Sequence, residues 1–375
     1  MRNYPWLPLI VGLCSLILIL SLGIYRTAPH ASAPVLTAEG EVDKHIPGDW
    51  FFRQRAYPAG KIDRKSLYRT RRTQRAKYTS LRSSAAWQLA GPTNIPGRIT
   101  DLAMHPDRPN YLYAAAASGG IWHSTDLGNS WTPLFDQEIT LAIGDIAIAP
   151  SNPDIIYVGT GEANAGGGSL AYDGVGIYKS TCAGSTSTNT GLPHAGSIGR
   201  IAVHPDDPQV AYVAAMGQLF ANNSDRGLYK TTDGGVSWSQ VLYQSDSTGA
   251  IDVVLHPDNP EVVYAATWER VRRPHRRSYG GPTSRIFRSD NGGQSWTDLT
   301  DNLPFFSINR GRMGLAVSPA DPDQLALYYV RRDGYLGGIY RSYDRGESWE
   351  SLGTTGINSV SFMWWFGRVA LHPTD

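Results

Sequence analysis

Residues 231–238 read Thr231-Thr232-Asp233-Gly234-Gly235-Val236-Ser237-Trp238, and this octet recurs along the chain. Three further complete copies begin at Ser124, Ser289 and Ser342, and a decayed copy begins at Ser180. Successive copies start 51 to 58 residues apart. A period of this length is typical of propeller or solenoid arrays, in which each copy marks one supersecondary unit.

The octet has the chemistry of a tight turn. The hydroxyl at its first position and the carboxylate at its third can accept hydrogen bonds from backbone N–H groups at a chain reversal. Gly at the fifth position permits a positive φ, and the closing Trp can bury its ring under the turn. We therefore predict a structural role for Ser124, Asp126, Gly128, Trp131, Thr231, Asp233, Gly235, Trp238, Ser289, Asn291, Gly293, Trp296, Ser342, Asp344, Gly346 and Trp349.

The pattern Ser/Thr-x-Asp-x-Gly-x-Ser/Thr-Trp resembles the Asp box, or bacterial neuraminidase repeat, of sialidases, sortilin-type receptors and xyloglucanase-like propellers. The resemblance covers residues 86–375 and implies an all-β propeller. It does not imply one activity, because these proteins share the fold and differ in function.

Each repeat reads as four antiparallel strands, illustrated by the third unit. An alternating run from Gly199 to Pro205 is followed by Ala211 to Ala215, by Gly227 to Lys230, and by a strand that begins at the box Trp. The sequence thus predicts five four-stranded blades. A first strand of a sixth blade starts at Gly367, so we interpret the propeller as incomplete at the C-terminus, a partial or truncated form of a longer one.

The residues before the array predict export. Leu7 to Ile24 carries no charge, so residues 1–33 form a signal peptide or an N-terminal membrane anchor. Residues 34–85 form a basic extended linker, in which nine Lys or Arg between Lys61 and Arg82 face one acid. A solvated tether is the simpler interpretation, and contact with anionic lipid or wall polymer is the alternative. Ala86 to Leu89 reads as an orphan outermost strand that closes the ring.

Composition limits the other function classes. The 375 residues include 40 Gly, 20 Tyr and 11 Trp, which suits an all-β protein, and the net charge of +1 does not indicate nucleic acid as a partner. Cys14 and Cys182 cannot form a disulfide framework. His105, His204, His256 and His372 occupy the same His-Pro turn of different blades, so they do not converge on a metal. We predict no cofactor.

The candidate ligand-binding residues lie on the face opposite the box turns. The loop from Thr267 to Arg285 carries Trp268, Arg272 and Arg273, which either grip an anionic or sugar ligand or belong to a solvated insertion. Counted from the Gly that opens each first strand, Arg98, Arg200, Arg312 and Arg368 fall at one position, which Asp145 and Ala250 fill in the other two blades. These arginines either pair with Asp145 and Glu162 or await an anionic ligand.

Two functions remain open. The first is a non-catalytic, envelope-tethered propeller that binds a protein, peptide or acidic glycan, as the resemblance to sortilin-type propellers implies. The alternative is a glycoside hydrolase of the xyloglucanase-like or sialidase-like type. In the xyloglucanase-like family an Asp just before a Gly pair is the general base, but Ala117 stands at that position before Gly119-Gly120. Because Ala cannot transfer a proton, we expect no hydrolysis of β-glucan polymers.

Overall fold

The structure, a computed structural model, describes residues 57, 58, 66, 69, 70, 72–74, 97–164, 173–273, 276, 277, 279–304, 310–357, 363–365 and 367–374. The predicted N-terminal segment Leu7 to Ile24 and the predicted strand Ala86 to Leu89 lie outside these residues. Within the predicted extended linker, residues 66, 69, 70 and 72–74 are helical, so an extended conformation is wrong for that part. Among the described residues, no helix is long and apolar enough to cross a membrane.

Five four-stranded antiparallel blades follow one another, as predicted, and each is a simple meander. Blade 1 contains β1 (Ile99–Met104), β2 (Leu112–Ala116), β3 (Gly120–Ser124) and β4 (Thr132–Pro133). Blade 2 contains β5 (Ile143–Ile148), β6 (Ile156–Gly161), β7 (Asp173–Ser180) and β8 (Thr188–Gly191). Blade 3 contains β9 (Ile198–Val203), β10 (Ala211–Ala215), β11 (Gly227–Thr231) and β12 (Ser239–Leu242).

Blade 4 contains β13 (Thr248–Leu255), β14 (Val263–Glu269), β17 (Ile286–Ser289) and β18 (Thr297–Asp298), and a small hairpin of β15 (Arg272–Arg273) and β16 (Arg276–Arg277) is inserted between its second and third strands. Blade 5 contains β19 (Arg310–Val317), β20 (Leu325–Arg331), β21 (Leu336–Ser342) and β22 (Glu350–Ser351). Two 3₁₀ turns lie at Thr300–Asn302 and Met363–Trp365.

The box turns form the hydrogen bonds that the octet predicts. In blade 3 the Thr231 hydroxyl donates to Asp233 at 2.8 Å and accepts the Gly235 N–H at 2.8 Å, while Asp233 accepts the Ser237 N–H at 2.9 Å. The fifth-position glycines have φ between +85° and +92°, a region that a Cβ disfavours. The decayed copy still turns, because the Ser180 hydroxyl accepts the N–H groups of Cys182 and Gly184.

The box tryptophans differ from one another. The indole N–H groups of Trp131 and Trp349 donate to carbonyls of their own turns. Those of Trp238 and Trp296 donate to Thr190 and Val241, which lie in the outermost strand of the preceding blade. In two blades the Trp therefore joins neighbouring blades as well as closing its own hairpin.

The first strands line a central channel with a cavity of about 350 Å³, whose walls include residues 200–203, 253–255 and 369–371. Segment 367–371 thus lies among the first strands, where the repeat predicts a sixth blade. The described residues of this segment form no ladder with a described strand, so the predicted sixth first strand is present in position but not as regular β-structure.

Candidate functional site

The site lies where the chain enters the first strands, and its charged residues form ion pairs there. Arg98 bonds Glu162 at 2.5 Å, Arg200 bonds Asp252 at 3.2 Å, and Arg368 bonds both Asp101 at 2.7 Å and Asp145 at 2.5 Å. We call this set, with Arg312, the charged mouth; it comprises Arg98, Asp101, Asp145, Glu162, Arg200, Asp252, Arg312 and Arg368.

The strand ladders overturn the predicted common position of the arginines. One position of each first strand faces the same position of the second strand, and it lies four residues before the predicted His-Pro turn or its equivalent. The five blades fill it with Asp101, Asp145, Arg200, Asp252 and Gly314. Arg98 lies three residues before this position in its own blade, and Arg312 lies two residues before it. Each of the five first strands begins with a register shift, but the opening Gly lies between one and four residues before the common position, so distance from the opening Gly does not report structural position.

The arginines of the charged mouth are paired, which was one of the two predicted alternatives. Arg312 is buried, and its guanidinium bonds the Trp364 carbonyl at 2.9 Å and the side-chain oxygen of Asn164. Burial lowers the pKa of Arg312 to about 10. Burial also lowers the pKa of Arg368, but the carboxylates of Asp145 and Asp101 outweigh this and raise it. A buried guanidinium requires such partners.

Two buried carboxyl groups of the mouth titrate far from their usual range. Burial raises the pKa of Glu162 to about 7, against the opposing charge of Arg98. Burial also raises the pKa of Asp145 to about 7, against the opposing charge of Arg368. Asp145 has a second task, because it accepts the N–H of Ile201 in the next blade at 2.8 Å.

An aromatic cluster lies beside the charged mouth and consists of Trp268, Arg270, Tyr279, Trp364 and Trp365. The ring of Trp364 stacks on Tyr279 with centroids 5.0 Å apart and on Trp365 at 5.9 Å. Arg270 lies 4.4 Å from the Trp268 ring and 4.3 Å from the Trp364 ring. The Arg98 guanidinium lies 5.2 Å from the Trp365 ring, so the cluster and the charged mouth are continuous.

The members of the aromatic cluster differ in their exposure to solvent. Trp268, Arg270 and Trp364 are fully buried, whereas Tyr279 and Trp365 are partly exposed. Trp268 donates its indole N–H to the Tyr279 carbonyl at 2.8 Å, and the prediction that its ring contacts ligand is wrong for this conformation. Arg272 and Arg273 lie in β15, and ligand binding by their side chains stays a prediction.

Several site residues were missed by the sequence reasoning. Asp101 and Asp252 would have been found by counting back four residues from His105 and His256. The Met363–Trp365 run stands directly before the sixth repeat, yet nothing in the repeat pattern predicts that its rings pack on the insertion of blade 4.

The predicted turn histidines are confirmed. The Nδ1 atom of His105 accepts the N–H of Asp107, that of His204 accepts two N–H groups, and that of His256 accepts those of Asp258 and Asn259. Ala117, which stands at the position of the xyloglucanase-like general base, is buried, and its N–H donates to the Arg98 carbonyl at 2.9 Å.

Comparison with known proteins found no matching family model. The chain is 23% identical over 360 residues to a probable oligoxyloglucan-reducing end-specific xyloglucanase of Neosartorya fischeri. The aligned region covers 73% of this chain and 42% of that protein. It is 25% identical over 317 residues to a xyloglucanase of a Paenibacillus species, and this aligned region covers 74% of this chain and 28% of that protein. The chain therefore spans less than half of the length of each of these relatives.

Solved structures agree on the fold. An ancestral GH74 enzyme superposes with a TM-score of 0.57 at 22% identity, covering 78% of this chain and 35% of that chain. The Niastella koreensis GH74 enzyme superposes with a TM-score of 0.51 at 22% identity, covering 68% and 38%. The chain is thus an all-β propeller that is similar in fold to GH74 enzymes and, at low identity, similar in sequence to xyloglucanases.

Proposed function

We propose that this propeller is glycoside-hydrolase-like and binds a β-linked glycan chain across its loop face, over the aromatic cluster. The observation that carries the proposal is the pair of partly exposed rings, Tyr279 and Trp365, which stack on the buried Trp364 ring next to the channel mouth. Flat aromatic rings offer apolar area at a small entropic cost, which suits the C–H faces of sugar rings. Similarity to xyloglucanases over about three quarters of the chain supports the same ligand class.

The charged mouth favours a neutral glycan over an acidic ligand. Each of Arg98, Arg200 and Arg368 already bonds a carboxylate of the chain. An anionic ligand would compete with Glu162, Asp252 or Asp145 for these guanidinium groups, and a carboxylate displaced in this way would remain buried without its cation. The acidic glycan or peptide carboxylate predicted from the arginines therefore has less support than an uncharged sugar chain.

A binding titration tests this proposal. We expect the full chain to bind xyloglucan oligosaccharides in isothermal titration calorimetry, and Trp365→Ala to weaken the affinity at least tenfold. Trp131→Ala is the matched control, because Trp131 is an exposed box tryptophan on the opposite face. Equal losses in both variants, or no loss in Trp365→Ala, would contradict a site at the cluster. A steep dependence of affinity on salt would instead support a ligand held by the arginines.

Hydrolysis is the second candidate function, favoured by the names of the relatives and by one group of the site. The Glu162 carboxyl, with its pKa near 7, has the titration range of a general acid at neutral pH. Hydrolysis requires a second carboxylate across the scissile bond. Ala117 does not supply it, and both Asp145 oxygens are engaged by Arg368 and the Ile201 N–H.

We therefore expect the chain to release no reducing ends from xyloglucan or mixed-linkage glucan beyond a heat-killed control. If sugar release occurs and Glu162→Gln abolishes it, the chain is a hydrolase with Glu162 as its acid. If release occurs and survives in Glu162→Gln, another carboxyl performs the chemistry and the role of Glu162 is wrong.

Four further points remain proposals: export, the division at residues 33 and 85, attachment to a membrane through Leu7 to Ile24, and a protein or peptide ligand. Export and membrane attachment can be tested by fractionating cells that produce the whole chain, with an immunoblot against the propeller. A membrane-associated product that is released by removing residues 1–33 supports the anchor, whereas a soluble exported product that begins near residue 34 supports a cleaved signal.

A further inference from the structure

The two partly exposed rings of the aromatic cluster are held in different ways. Tyr279 is held by contacts whose charge does not change near neutral pH. Its ring stacks on Trp364 with centroids 5.0 Å apart, and its carbonyl accepts the Trp268 indole N–H at 2.8 Å. The Arg270 guanidinium, 4.3 Å from the Trp364 ring, keeps its charge throughout this pH range. The Tyr279 side of the cluster should therefore be insensitive to pH.

The Trp365 ring depends on a carboxylate instead. The Arg98 guanidinium lies 5.2 Å from the centre of this ring and bonds the Glu162 carboxylate at 2.5 Å. The Trp365 side chain also lies close enough to the Glu162 carboxyl to act on its pKa, which it lowers as Arg98 does. One carboxylate thus faces both the ring and the cation that packs over it.

The Glu162 carboxylate is the anchored member of this group. Its side chain is only 2% exposed, and its backbone forms a parallel bridge with Ile198 of blade 3. The next residue, Ala163, is buried in the same core as Trp364. The Arg98 side chain, by contrast, is 35% exposed and can turn toward solvent. Arg98 therefore stays over the ring only while the carboxylate attracts it.

We propose that Glu162 is a positioning residue of the glycan site, whose ionised carboxylate holds Arg98 over Trp365 and so fixes this ring for sugar binding. The inference rests on the proposed glycan function and names how that site is regulated. Glu162 acts here through Trp365 and does not itself contact the sugar. A ring that is fixed before binding loses less freedom when the ligand binds, so the affinity is higher while the carboxylate is charged.

This arrangement makes glycan binding sensitive to protons. Burial raises the pKa of the Glu162 carboxyl to about 7, although the guanidinium groups of Arg98, at the entry to blade 1, and Arg270, in the insertion of blade 4, act against it. Protonation removes the charge that attracts Arg98. The ionised fraction falls from about nine tenths at pH 8 to about one tenth at pH 6, and the apparent affinity falls with the competent fraction.

Calorimetric titration of the full chain with xyloglucan oligosaccharides tests the proposal. Wild-type affinity should fall about five to ten times between pH 8 and pH 6. Glu162→Gln should bind at pH 8 as weakly as the wild type does at pH 6, and its affinity should not change with pH. Tyr279→Ala is the matched control, because it removes the ring on the insensitive side. Its affinity should be lower at both pH values but should keep the wild-type ratio.

A second measurement follows the ring without any ligand. In protein labelled with fluorotryptophan, the resonance of Trp365 is the one that disappears in Trp365→Phe. We expect this fluorine resonance to shift between pH 6 and pH 8 with a midpoint near 7, and Glu162→Gln to abolish the shift. A resonance that stays fixed while the affinity changes would mean that Glu162 acts on the sugar directly, which would overturn the positioning role.

The remaining outcomes separate this inference from the proposed function. Glycan binding that is equal at pH 6 and pH 8, or stronger at pH 6, overturns the inference and leaves the glycan site standing. A pH dependence that persists in Glu162→Gln also overturns it and assigns the effect to Asp145, whose pKa burial likewise raises to about 7. Absence of binding at every pH overturns the glycan function and this inference together.

Discussion

Aspartate serves two different purposes at the rim and at the axis of this propeller. At the rim, Asp233 is exposed in its box turn, and hydrogen bonds from the Ser237 side chain and backbone hold its pKa at about 2. At the axis, Asp145 is buried, and burial raises its pKa to about 7. The rim aspartate bonds its own turn, whereas the axis aspartate bonds Arg368 and the next blade.

The difference shows how a repeat fold separates two tasks. Rim residues can be identical in every blade, because each turn satisfies its own hydrogen bonds. Axis residues must differ, because six positions converge on one channel and like charges side by side would repel. The functional candidates are therefore found where the repeat breaks its own pattern.

The largest effect is expected at the axis. Arg368→Ala leaves Asp101 and Asp145 without their shared cation, and removal of one partner of a buried ion pair typically costs about 3 to 5 kcal/mol. We expect a correspondingly lower urea midpoint. Arg332→Ala, at an exposed arginine of blade 5, should change it little. Equal midpoints for both variants would show that the ion pairs of Arg368 with Asp101 and Asp145 contribute nothing to stability.

Glu162 should make the stability of the fold fall as the pH rises, which is the opposite of the pH dependence expected from Asp233 at the rim. Its carboxyl has a folded pKa raised to about 7 and an unfolded value near 4.5, so the folded state binds the extra proton between these values. Stability contributed by this group is present below pH 4.5 and is lost as the pH rises to 7, by up to about 3 kcal/mol. Melts of wild type and Glu162→Gln across this range should differ in slope. Parallel curves would show that Glu162 is not buried as described.

A smaller effect is expected where blades 3 and 4 meet. The Tyr212 hydroxyl donates to the Gly292 carbonyl at 3.0 Å, and Lys230 bonds the same oxygen. Tyr212→Phe should cost about 1 kcal/mol, because the carbonyl keeps one partner. Tyr335→Phe, at an exposed ring, is the control in the same denaturation series. A loss as large as that of Arg368→Ala would mean that the junctions depend on these bonds as much as on the ion pairs.

The smallest effect is expected at one rim turn. Because the pKa of Asp233 is lowered to about 2, its contribution to stability is present above pH 4 and is lost as the pH falls toward 2. Asp233→Asn should keep one acceptor oxygen, as Asn291 does in blade 4, and should flatten the acid limb of the melting profile. Glycan affinity at pH 7 should not change. A variant that folds normally but no longer binds would assign the box to the ligand site.

The sequence by itself determined the blade count, the four-stranded blades and the box turns, since each of these depends on residues within a single repeat or on the recurrence of that repeat. Even the decayed turn at Ser180 forms as its pattern predicts. The opening glycines, however, placed Arg98 and Arg312 in the wrong register, because these glycines lie at different distances from the residues that face each other across the ladders.

Only the tertiary structure decided which charges meet. Arg368 and Asp101 are separated by 267 residues and bond because the ring brings the first strands together at one axis. Likewise, the sequence did not indicate that Trp364 and Trp365 pack beside Tyr279 and Arg98, or that Leu102 is exposed. Local patterns specify the blades, but contacts between blades depend on closure geometry, and that geometry is a property of the whole array.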